Sequence, residues 1–545
     1  MKKIYIALLA VAGFLPATAQ DAYESARLMT EDLNGTARYV GMGGAIDALG
    51  ADISTISTNP AGLGLFRRNM VTTSIGLVSQ QDVNKFDRLG KTNLSFDQIG
   101  FVYAQRTGLQ SFLNFGFNYH KTRNFDQILS VADHPLRGGS LNKLSYAKHI
   151  RGNVDRGGYS IDFNKDGELM GYEDANSNYR ANTYSQWDYL NMNAINAMDA
   201  VDPATNENYT EIGYNEADMY NFDRSHRGWI NEYDLNISGN CSDRVYLGVT
   251  VGIHDVNYKG YSEYTEGLNF SDGSDAGVMT LADERKIEGT GYDIKAGIII
   301  RPVEFSPFRI GLSISTPTWY DLTSSNYTVL YNNSAVGMYD KGENGESYKF
   351  KLFTPWKFGL SMGHTIGSML ALGASIDYAD YSSADVRIND GYYDYNGEEG
   401  SFSDNIMDDN VDRSLKGVAT LKLGAELKPD PCMAVRLGYN YVSPMYETNG
   451  VRDMTINSPG VMYSSTTDYV NWDATHRITC GMGYKTTNGW SFDLAYQYST
   501  TNGTFYPFQP EVSFTDFGAN EVCTSTPADV SNKRHQLLFT VGYTF

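Results

Sequence analysis

Gln536-Leu537-Leu538-Phe539-Thr540-Val541-Gly542-Tyr543-Thr544-Phe545 is the stretch on which the fold turns. In an extended chain Leu537, Phe539, Val541, Tyr543 and Phe545 share one face, and Gln536, Leu538, Thr540, Gly542 and Thr544 share the other. This is the period-2 pattern of a strand with two unlike surroundings. Val245, Leu247, Val249, Val251 and Ile253 repeat it opposite Tyr246, Gly248, Thr250, Gly252 and His254, and so do Leu370, Leu372, Ala374, Ile376 and Tyr378. A secreted β-sandwich or propeller also alternates, one face packed on a core and the other wet. Here the candidate outer faces carry Leu, Ile, Val, Phe and Tyr against Gly, Ser, Thr, Asn and Asp, the contrast a strand at a hydrocarbon boundary requires.

Working outward, fourteen such segments are centred near residues 75, 101, 117, 235, 251, 294, 314, 358, 375, 421, 438, 480, 496 and 540. An even number suits closure of a bacterial barrel. The connections alternate: short ones at 107–110, 239–243, 302–307, 365–368, 428–431 and 486–489 are rich in Gly, Pro, Asn and Asp, and long acidic ones lie between them, the longest at 124–228. Short periplasmic turns opposite long extracellular loops are the asymmetry of an outer-membrane barrel, with both termini expected on the periplasmic side.

Composition agrees. The 545 residues carry 40 Tyr, 25 Phe and 54 Gly, an excess typical of β-structure rather than of several soluble domains. After the N-terminus no run approaches the roughly 18 apolar residues of a spanning helix, so only strands are left to cross a bilayer. A net charge of −21 repels phosphate backbones and argues against a nucleic-acid partner. Met1-Lys2-Lys3, the apolar run from Ile4 to Leu15 and Ala17-Thr18-Ala19 follow the order of a secretory signal peptide cleaved after Ala19. Cys241, Cys432, Cys480 and Cys523 are too scattered for a zinc site or a dense disulfide framework.

Residues 20–68 do not alternate, and a fourteen-stranded barrel would leak unless something filled it, so the lumen is their expected place. They contain Arg38-Tyr39-Val40-Gly41-Met42-Gly43-Gly44-Ala45, Asp52-Ile53-Ser54-Thr55 and Asn59-Pro60-Ala61-Gly62-Leu63. Pro60 biases Asn59 away from the α region, and the Asn side chain can bond nearby backbone, which makes a rigid corner. Over residues 36–66 this constellation resembles the N-terminal hatch of the FadL family. Asn59, Pro60 and Ala61 match its Asn-Pro-Ala triplet, and Gly41, Gly43 and Gly44 its upstream glycine cluster. Thr316-Pro317-Thr318-Trp319 and Thr354-Pro355-Trp356 look like the Bacteroidetes-type branch; the loop at 124–228 is longer than in the fatty-acid transporters.

The resemblance implies an all-β, fourteen-stranded antiparallel transmembrane β-barrel at 69–545 with a luminal hatch at 20–68, behind a signal peptide at 1–19. It also implies uptake of hydrophobic small molecules such as long-chain fatty acids: capture among extracellular loops, an apolar pocket above the hatch, hatch movement around Asn59–Ala61 and lateral release near the third strand at 111–123. There Gly116 and Asn118 face the predicted lumen, where a small side chain or unpaired backbone could leave a gap. Phe545 resembles the terminal aromatic read by the barrel-assembly machinery, and the outer face would meet outer-membrane lipid.

One further motif stands apart. Asp162-Phe163-Asn164-Lys165-Asp166-Gly167-Glu168-Leu169-Met170-Gly171-Tyr172-Glu173 fits a calcium loop, with Asp162, Asn164, Asp166 and Glu173 as side-chain ligands and the carbonyl of Glu168 as a fifth. No other cofactor is called for, and Ca²⁺ there would brace the loop. An enzyme is not indicated: no H-E-x-x-H, G-x-S-x-G or P-loop occurs, and His120 and His254 fall on predicted luminal faces as polar lining. The alternatives are a receptor for haemin or another aromatic compound, although no ligating His or Tyr pair stands out, and a structural or adhesive barrel. A TonB-dependent receptor needs a longer chain, and the hatch argues against a general porin.

Overall fold

A computed structural model describes residues 21–155, 159–163, 169–174, 185–201, 205–206, 208–270, 273–334, 341–393, 395, 397, 399–456, 458–516 and 518–545; the export signal at 1–19 lies outside them. The wall consists of Met70–Gln80, Thr92–Arg106, Phe112–Asn124, Glu216–Cys241, Val245–Asn269, Asp275–Ile300, Arg309–Ser315, Lys357–Ile366, Leu370–Asp380, Gly417–Asp430, Met433–Val442, Tyr469–Lys485, Trp490–Tyr506 and Ala528–Thr544, the first to fourteenth strands. Each is antiparallel to the next, and the fourteenth pairs with the first from Met70↔Thr544 to Gln80↔Arg534. The fourteen strands therefore close into a barrel. Every segment centre read from the sequence falls within one of these strands.

The alternation has its expected consequence. Leu247, Val249, Val251 and Ile253 are exposed on the outside, whereas Thr250 and His254 are buried on the inside. Aromatic pairs border this apolar band at both ends: Trp490 against Tyr543 (4.9 Å between ring centroids) at the short-turn end, and Tyr119 against Tyr233 (5.2 Å) and Tyr292 against Trp319 (5.2 Å) at the other. Such rings suit the membrane–water boundary, apolar in body and polar at the tip. No described helix is long and apolar enough to cross a membrane.

The wall rises above the band further than alternation foretold. The fourth, fifth and sixth strands run 26, 25 and 26 residues. The third is continued by Gln127–Gly139, which pairs with the upper fourth strand from Gln127↔His226 to Gly139↔Ala217. Most of the predicted 124–228 loop thus narrows to 140–215. Above the band the outward positions become polar, as at Asn257, Lys259 and Glu263, and the apolar face that marks a membrane strand is lost. The inside of this upper wall is filled by Trp187, Tyr220, Phe222, Phe350, Phe505 and Phe508, all fully buried.

Two prolines shape the seventh and eighth strands. Thr316-Pro317-Thr318 separates Arg309–Ser315 from Trp319–Ser334, and Thr354-Pro355-Trp356 separates Lys341–Phe353 from Lys357–Ile366. Proline has no N–H for the ladder. The two breaks lie side by side and bridge each other, Thr318 N donating to Thr354 Oγ1 (2.8 Å) and Thr354 N to Thr318 O (3.2 Å).

Residues 21–68 run inside the barrel. Helices Ala22–Met29 and Ala37–Gly41 are capped by Asp21 and Thr36, and two 3₁₀ turns, Ile53–Ile56 and Pro60–Leu65, by Asp52 and Asn59. Phe545 lies at the short-turn end, where its N–H donates to Asn69 O. The first described residue lies at the other: Asp21 pairs with Arg452 (2.6 Å), and Tyr23 lies against Tyr446 and Tyr469, all on the long-loop side. From Asp21 the described segment therefore descends through the lumen to the first strand. The cause is electrostatic, because Asp21 and Glu24 meet the buried guanidinium groups of Arg452 and Arg285 there.

Candidate functional site: a luminal segment between two cavities

The lower part of the luminal segment is seated by close backbone approach. Asn59 is extended (φ −137°), as a residue before proline must be, and its Oδ1 accepts from Ala61 N (3.2 Å), so the corner forms as the sequence suggested. Asn59 and Pro60 lie where wall glycines leave room, at Gly248, Gly297 and Gly311. Gly43 and Gly44 hold positive φ (63° and 80°), and a Cβ on Gly43 would stand 2.8 Å from Tyr439 N. Gly41 touches Gly481 in the wall, and Gly438 leaves space for Gly43 N. Only glycine facing glycine permits two backbones this near.

Charges lock the same region. Arg38 pairs with Glu426 (3.1 Å), Glu426 with Arg436 (2.7 Å) and Arg436 with Asp493 (2.6 Å). Lys422 bridges Asp47 (3.3 Å) and Asp377 (2.6 Å). Ile53, Ile56, Leu63, Phe66 and Val102 form a small apolar cluster beneath.

Higher up, residues 30–34 separate two cavities of about 190 and 200 Å³. Both have mixed linings in which charged groups stand beside apolar side chains, while the largest apolar side chains pack against one another higher still. Asp32 pairs with Arg123 (3.0 Å) and Arg534 (3.8 Å). Arg477 borders both cavities; among the described residues it makes no ion pair and donates to Asn440 Oδ1 (2.8 Å). Tyr23, Phe125 and Trp472 add aromatic surface to the first cavity.

The wall beside residues 30–34 is incomplete. Pairing between the second and third strands runs from Arg106↔Phe112 to Gln98↔His120 and stops, leaving Thr92–Asp97 and Lys121–Asn124 without a shared ladder. Side chains and the luminal segment span the opening instead: Lys121 Nζ donates to Ser95 Oγ (2.7 Å), Asn34 Nδ2 to Asp97 Oδ1 (2.9 Å) and to Lys121 O (3.0 Å), and the main-chain N–H of Asp32 to Thr122 O (2.8 Å). Gly116 and Asn118 are not at this opening. Both are paired on each side, Gly116 with Val102 and Asn236, Asn118 with Gly100 and Asp234, and the glycine makes room for Leu63 of the luminal segment. A small residue here serves inward packing, and the interruption lies one turn of the pleat higher.

Strict alternation hid Arg123. Phe115, Phe117 and Tyr119 point outward, which would send Lys121 and Arg123 to the lipid face, but a register shift against the fourth strand at 121–123 carries Arg123 to the first cavity. Two cations on an otherwise lipid-facing row were the legible sign. Of the calcium candidates, Asn164, Asp166 and Glu168 lie outside the described residues, while Asp162 and Glu173 sit on the two arms of a hairpin, Tyr159–Phe163 and Leu169–Asp174.

No family model matches the chain, and no curated protein does. Among solved structures it is similar to a FadL homologue of Pseudomonas aeruginosa (13% identity, 98% of this chain and 100% of that one, TM-score 0.47) and to the toluene transporter TbuX of Ralstonia pickettii (12%, 94% and 99%, TM-score 0.46). The Pseudomonas putida toluene transporter TodX follows at 11% identity, with 94% of this chain and 99% of that one and a TM-score of 0.43. On its own strand pairing the chain is a closed fourteen-stranded antiparallel transmembrane barrel with its N-terminal segment inside, and along most of its length it is similar to FadL-type barrels.

Proposed function

We propose that this protein carries hydrophobic small molecules inward across the outer membrane, and that they leave through the wall between the second and third strands. The observation that carries the reading is the ladder's end at Gln98↔His120 beside two cavities, with Asp32 and Asn34 closing the opening. A solute leaving there passes into the bilayer without entering water. Neither cavity reaches the roughly 300 Å³ at the lower end of small-molecule sites, so admission requires residues 30–34 to move and join them.

The cargo we favour is a long apolar chain with an anionic head, a class that includes long-chain fatty acids. Arg477 is the cation its head would meet, and Tyr23, Phe125 and Trp472 offer apolar surface. Burying a methylene contributes roughly 0.8 kcal/mol, so a chain of about sixteen carbons gains on the order of 10 kcal/mol before ordering costs, and release requires a trigger. Displacement of the luminal segment, with the Asn59–Ala61 corner as hinge, would supply it. A calcium ion at Asp162, Asn164, Asp166, Glu168 and Glu173 would stiffen the long loop above without taking part.

Mass spectrometry of small molecules extracted from protein purified in a mild detergent, beside an Asn59→Ala, Pro60→Ala double variant, tests this. Enriched apolar acids support the reading. Recovery of haem alone would favour the aromatic-ligand receptor, and an empty lumen in both proteins would favour a structural or adhesive barrel.

A further inference from the structure

Below the second cavity, four neighbouring strands bring two imidazoles, three carboxylates and one ammonium together on the luminal face. His120 comes from the third strand, Glu232 and Asp234 from the fourth, His254 from the fifth, and Asp293 and Lys295 from the sixth. The register explains the gathering. His120↔Glu232↔His254 form one rung, and Asn118↔Asp234↔Gly252↔Asp293 form the next. Gly252 is the device that lets the acids meet, because a Cβ there would run into Asp293, Glu232 and Lys295.

Every member of the cluster is at least nine-tenths buried. Three carboxylates against one ammonium leave two negative charges when both imidazoles are neutral. Holding such an imbalance away from water costs several kcal/mol per uncompensated ion. Lys295 meets Glu232 closely, Asp293 at 3.1 Å and Asp234 at 3.6 Å, so it is already shared among all three acids. Neither oxygen of Asp234, a fully buried side chain, receives a hydrogen bond. His120 stands 3.4 Å from Asp234 and 3.5 Å from Glu232, too far for closed hydrogen bonds, and His254 lies 3.0 Å from Asp293 and 3.9 Å from Glu232.

We infer that this cluster is a binding site for one divalent transition-metal ion, reached from the second cavity, which His120, Glu232 and Lys295 border. One such ion supplies the two missing positive charges. His120, Glu232 and Asp234 place their ligand atoms within 4.8 Å of one another, as do Glu232, His254 and Asp293, so Glu232 is common to both sets. Imidazole with carboxylate suits Zn²⁺, Co²⁺ or Ni²⁺ better than Ca²⁺, which takes oxygen alone. Lys295 then acts as an internal competitor, a cation in the space the metal would share. An ion here would also tie together the third to sixth strands, directly beneath the interrupted ladder.

The test is titration of tag-free barrel in detergent with Co²⁺, read by its visible absorption and by metal analysis after gel filtration. The wild type is expected to retain about one equivalent. Asp234→Asn and Glu232→Gln should each weaken binding by about tenfold or more, and Lys295→Met, which removes the competitor, should tighten it by a similar factor. Glu304→Gln, in the exposed turn at 302–307, separates this site from binding by surface acids and should change nothing. The inference is overturned if correctly folded wild type and Lys295→Met both fail to retain Co²⁺, or if binding survives both Asp234→Asn and Glu232→Gln.

Discussion

The two halves of the luminal segment are held in different ways. Residues 36–66 are seated backbone against backbone, with Gly41 on Gly481 and Gly43 beside Gly438, and ion pairs run from Arg38 and Asp47 into the wall. Residues 30–34 have no such backbone seat: one main-chain bond, from Asp32 N to Thr122 O, the ion pairs of Asp32 and the hydrogen bonds of Asn34 hold them across an interrupted ladder, with a cavity on either side. Close packing is lost only by large displacement, whereas a few hydrogen bonds are exchanged readily with water or ligand. The upper span is therefore built to yield first, and the floor to move only in the larger displacement about the Asn59–Ala61 corner.

The largest expected effect comes from breaking the floor. Gly438→Leu drives a side chain into the backbone at Met42 and Gly43. The barrel should fail to reach its heat-resistant folded form on gels, because overpacking without room to relax costs about 1–3 kcal/mol or more. Breaking the upper span should do something different: with Asp32→Ala and Asn34→Ala together, planar-bilayer recordings should show steady conductance where the wild type is closed, while the melting temperature moves by no more than about 5 °C. Conductance equal to the wild type would erase the distinction between the halves.

Arg477→Met sharpens the account of the cargo. Losing a hydrogen bond to a charged group costs about 1.5–3 kcal/mol, so retention of an apolar acid should fall roughly ten- to a hundredfold, with neutral hydrocarbons unaffected. Asn59→Ala removes a cap worth about 1 kcal/mol. Uptake should slow if the corner is a hinge, and unchanged uptake by an assembled barrel would reject that role for Asn59.

The smallest effect lies outside the membrane, at Asp408 in the cap helix Asn405–Ser414. Burial pushes its carboxyl up to about 7, against the bond its Oδ1 accepts from Val386 N. Because the folded value exceeds the unfolded one, this group's contribution to stability declines as pH rises from about 4 to about 7 and is level above that. Hydrogen-exchange protection factors at residues 399–416, taken relative to the intrinsic rate at each pH, should be higher at pH 5 than at pH 8, and Asp408→Asn should flatten the difference.

The wall was legible because a bilayer enforces one rule on every strand, apolar out and small or polar in. Val245 to Ile253 and Leu537 to Phe545 obey it except at Tyr246 and Leu538, large side chains that turn inward. Where that rule lapses the sequence became silent: above the band, Asn257 and Lys259 still lie in a strand, yet no apolar face announces it. At the site, the corner at Asn59 was readable because proline acts locally. The opening was not, because it arises from a bulge at 121–123 that turns Arg123 inward and from the point where two ladders part, neither of which a single strand encodes. The gathering of His120, Asp234 and Asp293 was hidden for the same reason, since it depends on the register of four strands.

The central claim, that cargo passes residues 30–34 and leaves between the second and third strands, is tested most directly by photolabelling the purified barrel with a diazirine-bearing fatty acid and mapping the adducts. The account predicts adducts at 30–34, 92–97 and 121–124, displaced by excess unlabelled acid. Adducts confined to the long loops, or spread evenly over the outward faces of all fourteen strands, would contradict it.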